Sequence, residues 1–405
     1  MNGKPNKFDY IIVGAGIIGL TIAKALVEKT QAARILIIEK EQNIGLHSSG
    51  RNSGVLHSGI YYPAESLKAK VCASGARRMI SYCEQNQLSL NRIGKVIVPF
   101  KRKQDKQLLA LLERAEKNGA KVELIDSRQL KKIEPEAYSI TGGALYSPNT
   151  YTVDPLQILL KIRLQLEENG VEFCYQTDIS TGLIDPENST IEVQGKTFQY
   201  SVLYNAAGLF ADKIAKQFNA GKDYTMMPFK GIYYKLKPEN SLKINGLIYP
   251  VPDLNVPFLG VHSVKTSDGG VYFGPSATPA WGRENYYGLK GFNTNESGEM
   301  LHNLIKLFVK NNDNFRHYLF EETQKLTKYG FCEAIQKIVP AIHNNHLQTC
   351  EKVGIRAQLL NMKTMQLEMD FIVERVGNTV HILNAVSPAF TSALEFSERV
   401  VNNDI

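Results

Sequence analysis

Cysteine is sparse and unpaired in this chain. The five thiols, Cys72, Cys83, Cys174, Cys332 and Cys350, are scattered, odd in number and form no CxxC pair. That pattern speaks against a disulfide framework or a thiolate zinc site and for reduced thiols in a cytoplasmic protein. Tryptophan occurs once, and no apolar run approaches the length needed to cross a bilayer. Residues 1–7 are polar and carry no Arg- and Ser-rich presequence, so no targeting signal is expected. Repeats and low-complexity tracts are also missing. His343 and His346 stand in a His-Asn-Asn-His string without an acidic or thiol companion, so a solvated loop is expected there and no metal.

What remains is a chain of 405 residues, 43% hydrophobic, long enough for two domains around large cores. The formal net charge of +7 favours acidic substrates and anionic surfaces without identifying either. Lys101, Arg102, Lys103 and Lys106 precede an amphipathic segment in which Leu108, Leu109, Leu111, Leu112 and Ala115 share a broad face, stopped at Gly119. A solvated helix start is one reading of this basic run. Peripheral contact with the inner face of the plasma membrane is the other. Nucleic acid is not expected, because no aromatic stacking motif accompanies the charge.

The first informative motif is Asp9-Tyr-Ile-Ile-Val-Gly-Ala-Gly-Ile-Ile-Gly19, followed by Glu39 at the end of a second apolar run. Residues 10–13 suit a buried parallel strand. Gly14 permits the tight turn, Gly16 lets the backbone approach a pyrophosphate, and Gly19 lets the helix pack on the strand. The open N–H groups at the helix start, around Ile17 and Ile18, face phosphate. A carboxylate about 20 residues later suits ribose hydroxyls. Strand, turn, helix and terminal acid together predict a dinucleotide site of either the NAD or the FAD kind.

Downstream, β-type runs at 95–100, 171–175, 190–193 and 201–204 alternate with helical stretches at 156–168 and 209–218. Residues 223–273 are richer in strands (224–234, 246–251 and 258–264), a helical pattern returns over 297–311, and strands at 370–374 and 379–383 precede a last helix near Ala389. The expected architecture is α/β: a Rossmann-like dinucleotide-binding domain with an inserted mixed, largely antiparallel α+β substrate domain. The expected division gives 1–90, 148–222 and 345–405 to the dinucleotide-binding domain, and 91–147 and 223–344 to the substrate domain.

Three features choose FAD over NAD. His47-Ser-Ser-Gly-Arg-Asn-Ser-Gly54 is a small polar loop that offers hydroxyls and N–H groups for a second pass over the cofactor. Asn205-Ala-Ala-Gly208 lets the chain run against the nucleotide without a side-chain clash. Asn384-Ala-Val-Ser-Pro-Ala-Phe-Thr391 opens the last helix, whose N–H groups suit the electron-rich edge of a flavin. The expected cofactor contacts are therefore Gly14, Gly16, Ile17, Ile18, Gly19, Glu39, Lys40, Ser48, Ser49, Arg51, Asn52, Ser53, Gly54, Ile179, Ala207, Gly208, Ser387, Pro388, Ala389 and Thr391.

The strings Asn52-Ser-Gly-Val-Leu-His-Ser-Gly-Ile-Tyr-Tyr62, Pro228-Phe-Lys-Gly-Ile-Tyr-Tyr234, Leu247-Ile-Tyr-Pro-Val-Pro252, Pro257-Phe-Leu-Gly-Val-His262 and Gly354-Ile-Arg-Ala-Gln358 carry a family resemblance. The chain resembles, over nearly its whole length, the L-2-hydroxyglutarate dehydrogenase/oxidase family of glycine oxidase-like (D-amino acid oxidase) flavoproteins. The resemblance implies a glutathione reductase-like FAD-binding domain and oxidation of L-2-hydroxyglutarate, a small dicarboxylic hydroxy acid, to 2-oxoglutarate, with electrons passed to quinone or oxygen. It also implies that Arg356 clamps the substrate's C1 carboxylate, for which a planar guanidinium is suited. Removing the hydroxyl proton needs a base. His262, expected to end a strand, and His57 are the candidates, with His262 preferred as base and His57 placed beside the flavin. Tyr61 and Tyr62 are candidates for hydrogen bonds to a carboxylate, and Lys230 and Tyr234 for the second carboxylate. An amino-acid or amine oxidase of the glycine oxidase type, or a flavin-binding protein without turnover, remains open on the same residues.

Overall fold

The strand Asn6–Val13 lies inside an eight-stranded sheet, parallel to Ile35–Ile38 on one side and to Lys196–Asn205 on the other. Apolar side chains on both faces are what a sheet covered on both sides requires, and all four residues of Ile35–Ile38 are buried. Glu172–Cys174 extends the sheet beyond Ile35–Ile38, and Thr379–Ile382 joins Lys196–Asn205 in parallel. One face is covered by the helix Ile17–Lys29, which packs against Pro155–Glu168 and Ala389–Asn402, the last in turn against Leu67–Gln85. Thr21 and Ser397 share a buried hydroxyl–hydroxyl hydrogen bond of 2.7 Å between two of these helices. The computed structural model describes residues 6–254 and 256–405; residues 1–5 of the polar N-terminal segment lie outside the described residues.

A second sheet, of six strands, runs in the order His262–Lys265, Val271–Gly274, Tyr224–Leu236, Leu347–Asn361, Gln366–Leu367, with Thr278–Pro279 paired beside Tyr224–Leu236. A third, of four strands, joins Leu247–Pro250, Lys95–Val98, Ala144–Ser147 and Glu123–Ile125. These sheets bring together segments from either side of the nucleotide-type fold. Three details differ from the sequence reading. Leu347–Asn361, expected in the FAD-binding domain, pairs antiparallel with Tyr224–Leu236 along almost its whole length and so belongs to the second sheet. The strand expected over 258–264 begins only at His262, so that histidine opens a strand instead of ending one. In the helix Asp105–Lys117, Leu108, Leu111 and Ala115 are buried but Leu109 is 55% exposed, so the apolar face is narrower than expected. Among the described residues no helix is long and apolar enough to cross a membrane.

Candidate active site

A cavity of about 320 Å³ runs from the glycine turn to the inner face of the second sheet. At one end the chain doubles back tightly. Gly14 has φ +101°, and a Cβ there would lie 2.7 Å from the Ala206 carbonyl oxygen. At Gly19 a Cβ would fall 1.9 Å from the Gly14 carbonyl oxygen, so this glycine serves the helix–strand contact and does not line the cavity. Helix Ile17–Lys29 begins with no side-chain cap from Gly16; the Ile17 N–H donates to Ser49 Oγ at 2.9 Å. Both carboxylate oxygens of the buried Glu39 are held, one by the Ala15 N–H at 2.7 Å and the other by the Glu41 N–H at 2.9 Å. Two backbone donors thus hold a negative charge beside the turn, with the positive end of the helix dipole adjacent.

Eighteen of the twenty expected cofactor contacts line this cavity; Gly19 and Gly54 do not. The loop that carries Ser48, Ser49, Arg51, Asn52 and Ser53 is folded by its own polar groups. Ser48 Oγ donates to the Ile355 carbonyl at 2.8 Å, and Asn52 accepts from the Gly54 N–H at 2.8 Å. Gly54 itself has φ +72° and abuts the Val153 carbonyl, which gives it a turn-making role. Lys40 bridges Glu41 and Glu284, which reaches across from the second region, and His47 bonds Glu41 at 3.0 Å and Tyr286 at 2.8 Å. Burial pulls the Lys40 ammonium down, but its hydrogen bonds and charge pairing with Glu284 and Glu41 outweigh this and raise its pKa. The ligand-type atoms of Glu41, His47 and Glu284 lie within 4.8 Å of one another, and the Lys40 ammonium already meets both carboxylates.

At the other end the cavity is closed by Arg356, His57, His262, Tyr233, Tyr249 and Phe258. Arg356 donates to the Pro257 carbonyl and lies over the Phe258 ring, 5.0 Å from its centroid. No carboxylate touches it among the described residues; burial lowers its pKa, with only Tyr318, Tyr233 and Tyr62 opposing. His262 is stacked on Tyr249 with ring centroids 3.8 Å apart, and its Nδ1 lies 2.7 Å from the Gly260 carbonyl oxygen. A carbonyl only accepts, so Nδ1 carries the hydrogen and Nε2 keeps its lone pair. His57 Nε2 lies 3.3 Å from Ser387 Oγ, its backbone N–H donates to Thr391 Oγ1 at 3.1 Å, and its Nδ1 is buried without a partner among the described residues. Burial above all, then the positive charges of Lys95 and Arg356, hold the pKa of both imidazoles down at about 3, so both are neutral.

Four expected substrate contacts, Tyr61, Tyr62, Lys230 and Tyr234, are not at the cavity wall. Tyr233 lines it, and the neighbouring Tyr234 therefore faces the other way, packed on Phe331 at 4.8 Å. Lys230 likewise falls between the lining residues Phe229 and Gly231 and donates to Asn285 Oδ1 at 2.9 Å. The two-residue period of a strand accounts for both corrections. Tyr61 and Tyr62 stand behind the wall, and among the described residues the Tyr61 hydroxyl has no partner. Sequence reasoning missed Tyr233, Tyr249 and the paired glycines Gly231 and Gly354, which face each other in register. A Cβ on Gly231 would come 2.6 Å from Pro275, so that glycine was itself a readable sign of close approach.

The helix start at the glycine turn, the fixed Glu39 and the small residues Ala207 and Gly208 fit a dinucleotide, and the start of Ala389–Asn402, which has no side-chain cap from Pro388, lies farther along the same cavity. Comparison with known proteins agrees. Residues 9–402 match the FAD dependent oxidoreductase family. L-2-hydroxyglutarate dehydrogenase of Escherichia coli (strain K12) is 33% identical over 399 residues, covering 98% of this chain and 92% of that protein. The mitochondrial L-2-hydroxyglutarate dehydrogenase of Homo sapiens is 33% identical over 419 residues, covering 98% and 88%. Among solved structures, L-alpha-glycerophosphate oxidase from Mycoplasma pneumoniae with FAD bound shares the fold with a TM-score of 0.75 at 20% identity, covering 98% of this chain and 95% of that one. Glycine oxidase from Geobacillus kaustophilus shares it with a TM-score of 0.70 at 14% identity, covering 98% and 95%. FAD is the cofactor. The chain belongs to the FAD-dependent oxidoreductase family and, within it, to the L-2-hydroxyglutarate dehydrogenase family.

Proposed function

We propose that this protein oxidises L-2-hydroxyglutarate to 2-oxoglutarate and passes the electrons to a quinone or to oxygen. The observation that carries the reading is an enclosed guanidinium without a carboxylate partner, Arg356, in one cavity wall with two neutral histidines. A carboxylate arriving there gains a charge-assisted fork and relieves an uncompensated cation. Bound FAD supplies the hydride acceptor. The chain's own residues bind and orient the hydroxy acid through Arg356 and take the hydroxyl proton at His262 Nε2, whose lone pair is fixed by the Nδ1–Gly260 contact. His57, bonded to Ser387 and Thr391 at the start of the last helix, is the flavin-side contact.

In this reading residues 91–147 and 223–367 form the substrate domain and the rest holds FAD. Its placement is cytoplasmic, with a peripheral membrane contact through exposed Lys101, Arg102, Lys103, Lys106 and Leu109. Sedimentation with vesicles of mixed neutral and anionic phospholipid tests that contact; no salt-sensitive binding refutes it.

Anaerobic mixing with a panel of 2-hydroxy and 2-amino acids tests the chemistry. L-2-hydroxyglutarate should bleach the flavin, and Arg356→Met should lose that bleaching with its FAD content intact. Arg356→Lys should fare almost as badly, because an ammonium lacks the planar fork. Bleaching by amino acids alone would move the assignment to an amino-acid oxidase, and bleaching by nothing to a binding protein.

A further inference from the structure

Lys95 stands in the strand Lys95–Val98 behind the cavity wall and is 1% exposed. Among the described residues its ammonium has no hydrogen-bond partner. It lies over two aromatic rings, 4.8 Å from the centroid of Tyr61 and 5.3 Å from that of Tyr249. Tyr249 forms the cavity wall and stacks on His262, so the cation, the phenol ring and the imidazole follow one another from the core to the cavity. Thr152 Oγ1 and the hydroxyls of Tyr61 and Tyr249 are also buried and unpartnered, as is His57 Nδ1. The contrast with the other buried lysine is informative. Lys68 feels the carboxylate of Asp370, whereas the one ionisable group that favours a charge on Lys95 is the Cys72 thiol, itself pushed up to about 12 by burial and hence neutral. Its other titratable neighbours, His57, His262, Tyr61 and Tyr249, are neutral.

An unpaired buried ammonium is costly, and two aromatic faces recover only part of the lost hydration. A protein that keeps one beside its reaction cavity leaves an electrostatic deficit that an anion in the cavity removes. Arg356 provides for one carboxylate. We propose that Lys95 is a positioning and specificity-determining residue, which from behind Tyr249 attracts a second carboxylate and so selects a dianionic substrate over a monoanionic one. The inference rests on the hydroxy-acid reading above and assigns the second carboxylate to the Tyr249–His262 side of the cavity, in place of Lys230 and Tyr234. Acting through a ring, the charge is expected to count for roughly tenfold, since attraction between unit charges falls only as the inverse of distance. Burial lowers the Lys95 pKa to about 7, so its charge, and with it the preference, is present below that pH and fades above it.

The test compares L-2-hydroxyglutarate with its distal carboxamide, which keeps the shape and the reacting carbon but removes one charge. In anaerobic flavin reduction by holoenzyme, the wild type should favour the dicarboxylate by about tenfold or more in apparent Kd, most strongly below pH 7. Lys95→Met should bring the two substrates close to parity, mainly through Kd and not through the limiting rate, and should abolish the pH dependence of the ratio. Lys95→Arg should restore the preference and hold it at higher pH. Because the methionine relieves an unpaired buried charge, the variant should also melt no lower than the wild type. Retention of the full preference in Lys95→Met, or an equal loss on both substrates, would overturn the proposal. A wild type reduced by neither hydroxy acid would instead refute the functional reading beneath it.

Discussion

The two ends of the cavity solve opposite problems. At the glycine turn nearly every polar group already has a protein partner: Glu39 is held by two backbone N–H groups, Ser49 caps Ile17, and Asn52 closes its own loop. At the closed end several polar groups are left open: among the described residues, His57 Nδ1, the hydroxyls of Tyr61 and Tyr249, and Lys95 Nζ are buried and unpartnered. The first end is preorganised, so binding there draws on a shape that exists beforehand. The second holds buried positive charge without an acidic partner among the described residues, so an anion binding there offsets a desolvation cost. Cofactor retention and substrate selection should therefore respond to different substitutions.

The sharpest way to break this division is at the base. His262→Ala should slow flavin reduction by roughly 100- to 10,000-fold, leave FAD content unchanged, and remove the acid limb of the pH profile. Because the folded His262 pKa lies near 3, far below its ordinary 6.5, the wild-type limb at low substrate concentration should sit well under 6.5, with activity present above it and lost as pH falls through it. His57→Ala should instead disturb the flavin spectrum and leave part of the limb. An exchanged pattern would exchange the two roles, and near-normal rates in both variants would remove histidine from the mechanism.

Stability carries the same signature on a smaller scale. His57, His262 and His381 are held near 3, 3 and 4 by burial, so below 6.5 the unfolded chain takes up protons that the folded one refuses. Each group then costs roughly 1.4 kcal/mol per pH unit. Glu134, raised to about 7 by burial, works in the opposite sense between its ordinary 4.5 and that value, but it is one group against three. Melting temperature should fall as pH drops from 7 to 5, and His262→Ala should flatten the slope. An unchanged slope in that variant would mean that His262 is not held neutral by its surroundings.

Legibility followed the same division. The cofactor end is encoded within short stretches whose glycines and hydroxyls have one geometric use, and eighteen of its twenty expected contacts do line the cavity. The closed end is assembled from the strands Lys95–Val98, Tyr224–Leu236, Leu247–Pro250, His262–Lys265 and Leu347–Asn361, whose mutual register no local pattern sets. There a polar or aromatic residue type alone pointed to Lys230 and Tyr234, while strand parity delivered Phe229, Gly231 and Tyr233 to the wall. Lys95 gave one readable sign, a lone cation opening an apolar strand.

At the preorganised end, Glu39→Ala should weaken FAD retention by roughly 1.5–3 kcal/mol, the usual contribution of a charge-assisted hydrogen bond. Flavin reduction in the fraction that keeps FAD should proceed at the wild-type rate. Measuring free FAD on dilution checks the first statement and single-turnover reduction the second. A slowed reduction in FAD-replete variant would show that the two ends are coupled after all.

The smallest effect is expected where the two regions meet at the cavity wall. Lys40 and His47 come from the loop after the second parallel strand, Glu284 and Tyr286 from the segment beyond the second sheet, and Arg51 lies over Tyr286 at 4.3 Å. Lys40, His47 and Glu284 keep 21%, 27% and 37% of their side-chain surface, so solvent screens the network. Glu284→Gln should thus lower stability by no more than about 1 kcal/mol, leaving both the rate of flavin reduction and the preference between dicarboxylate and carboxamide untouched. Its expected mark is faster loss of FAD, by a few fold, with the difference from wild type shrinking as salt is raised. A salt-independent change, or a change in substrate preference, would place Glu284 in the working electrostatics of the closed end and erase the boundary between the two regions.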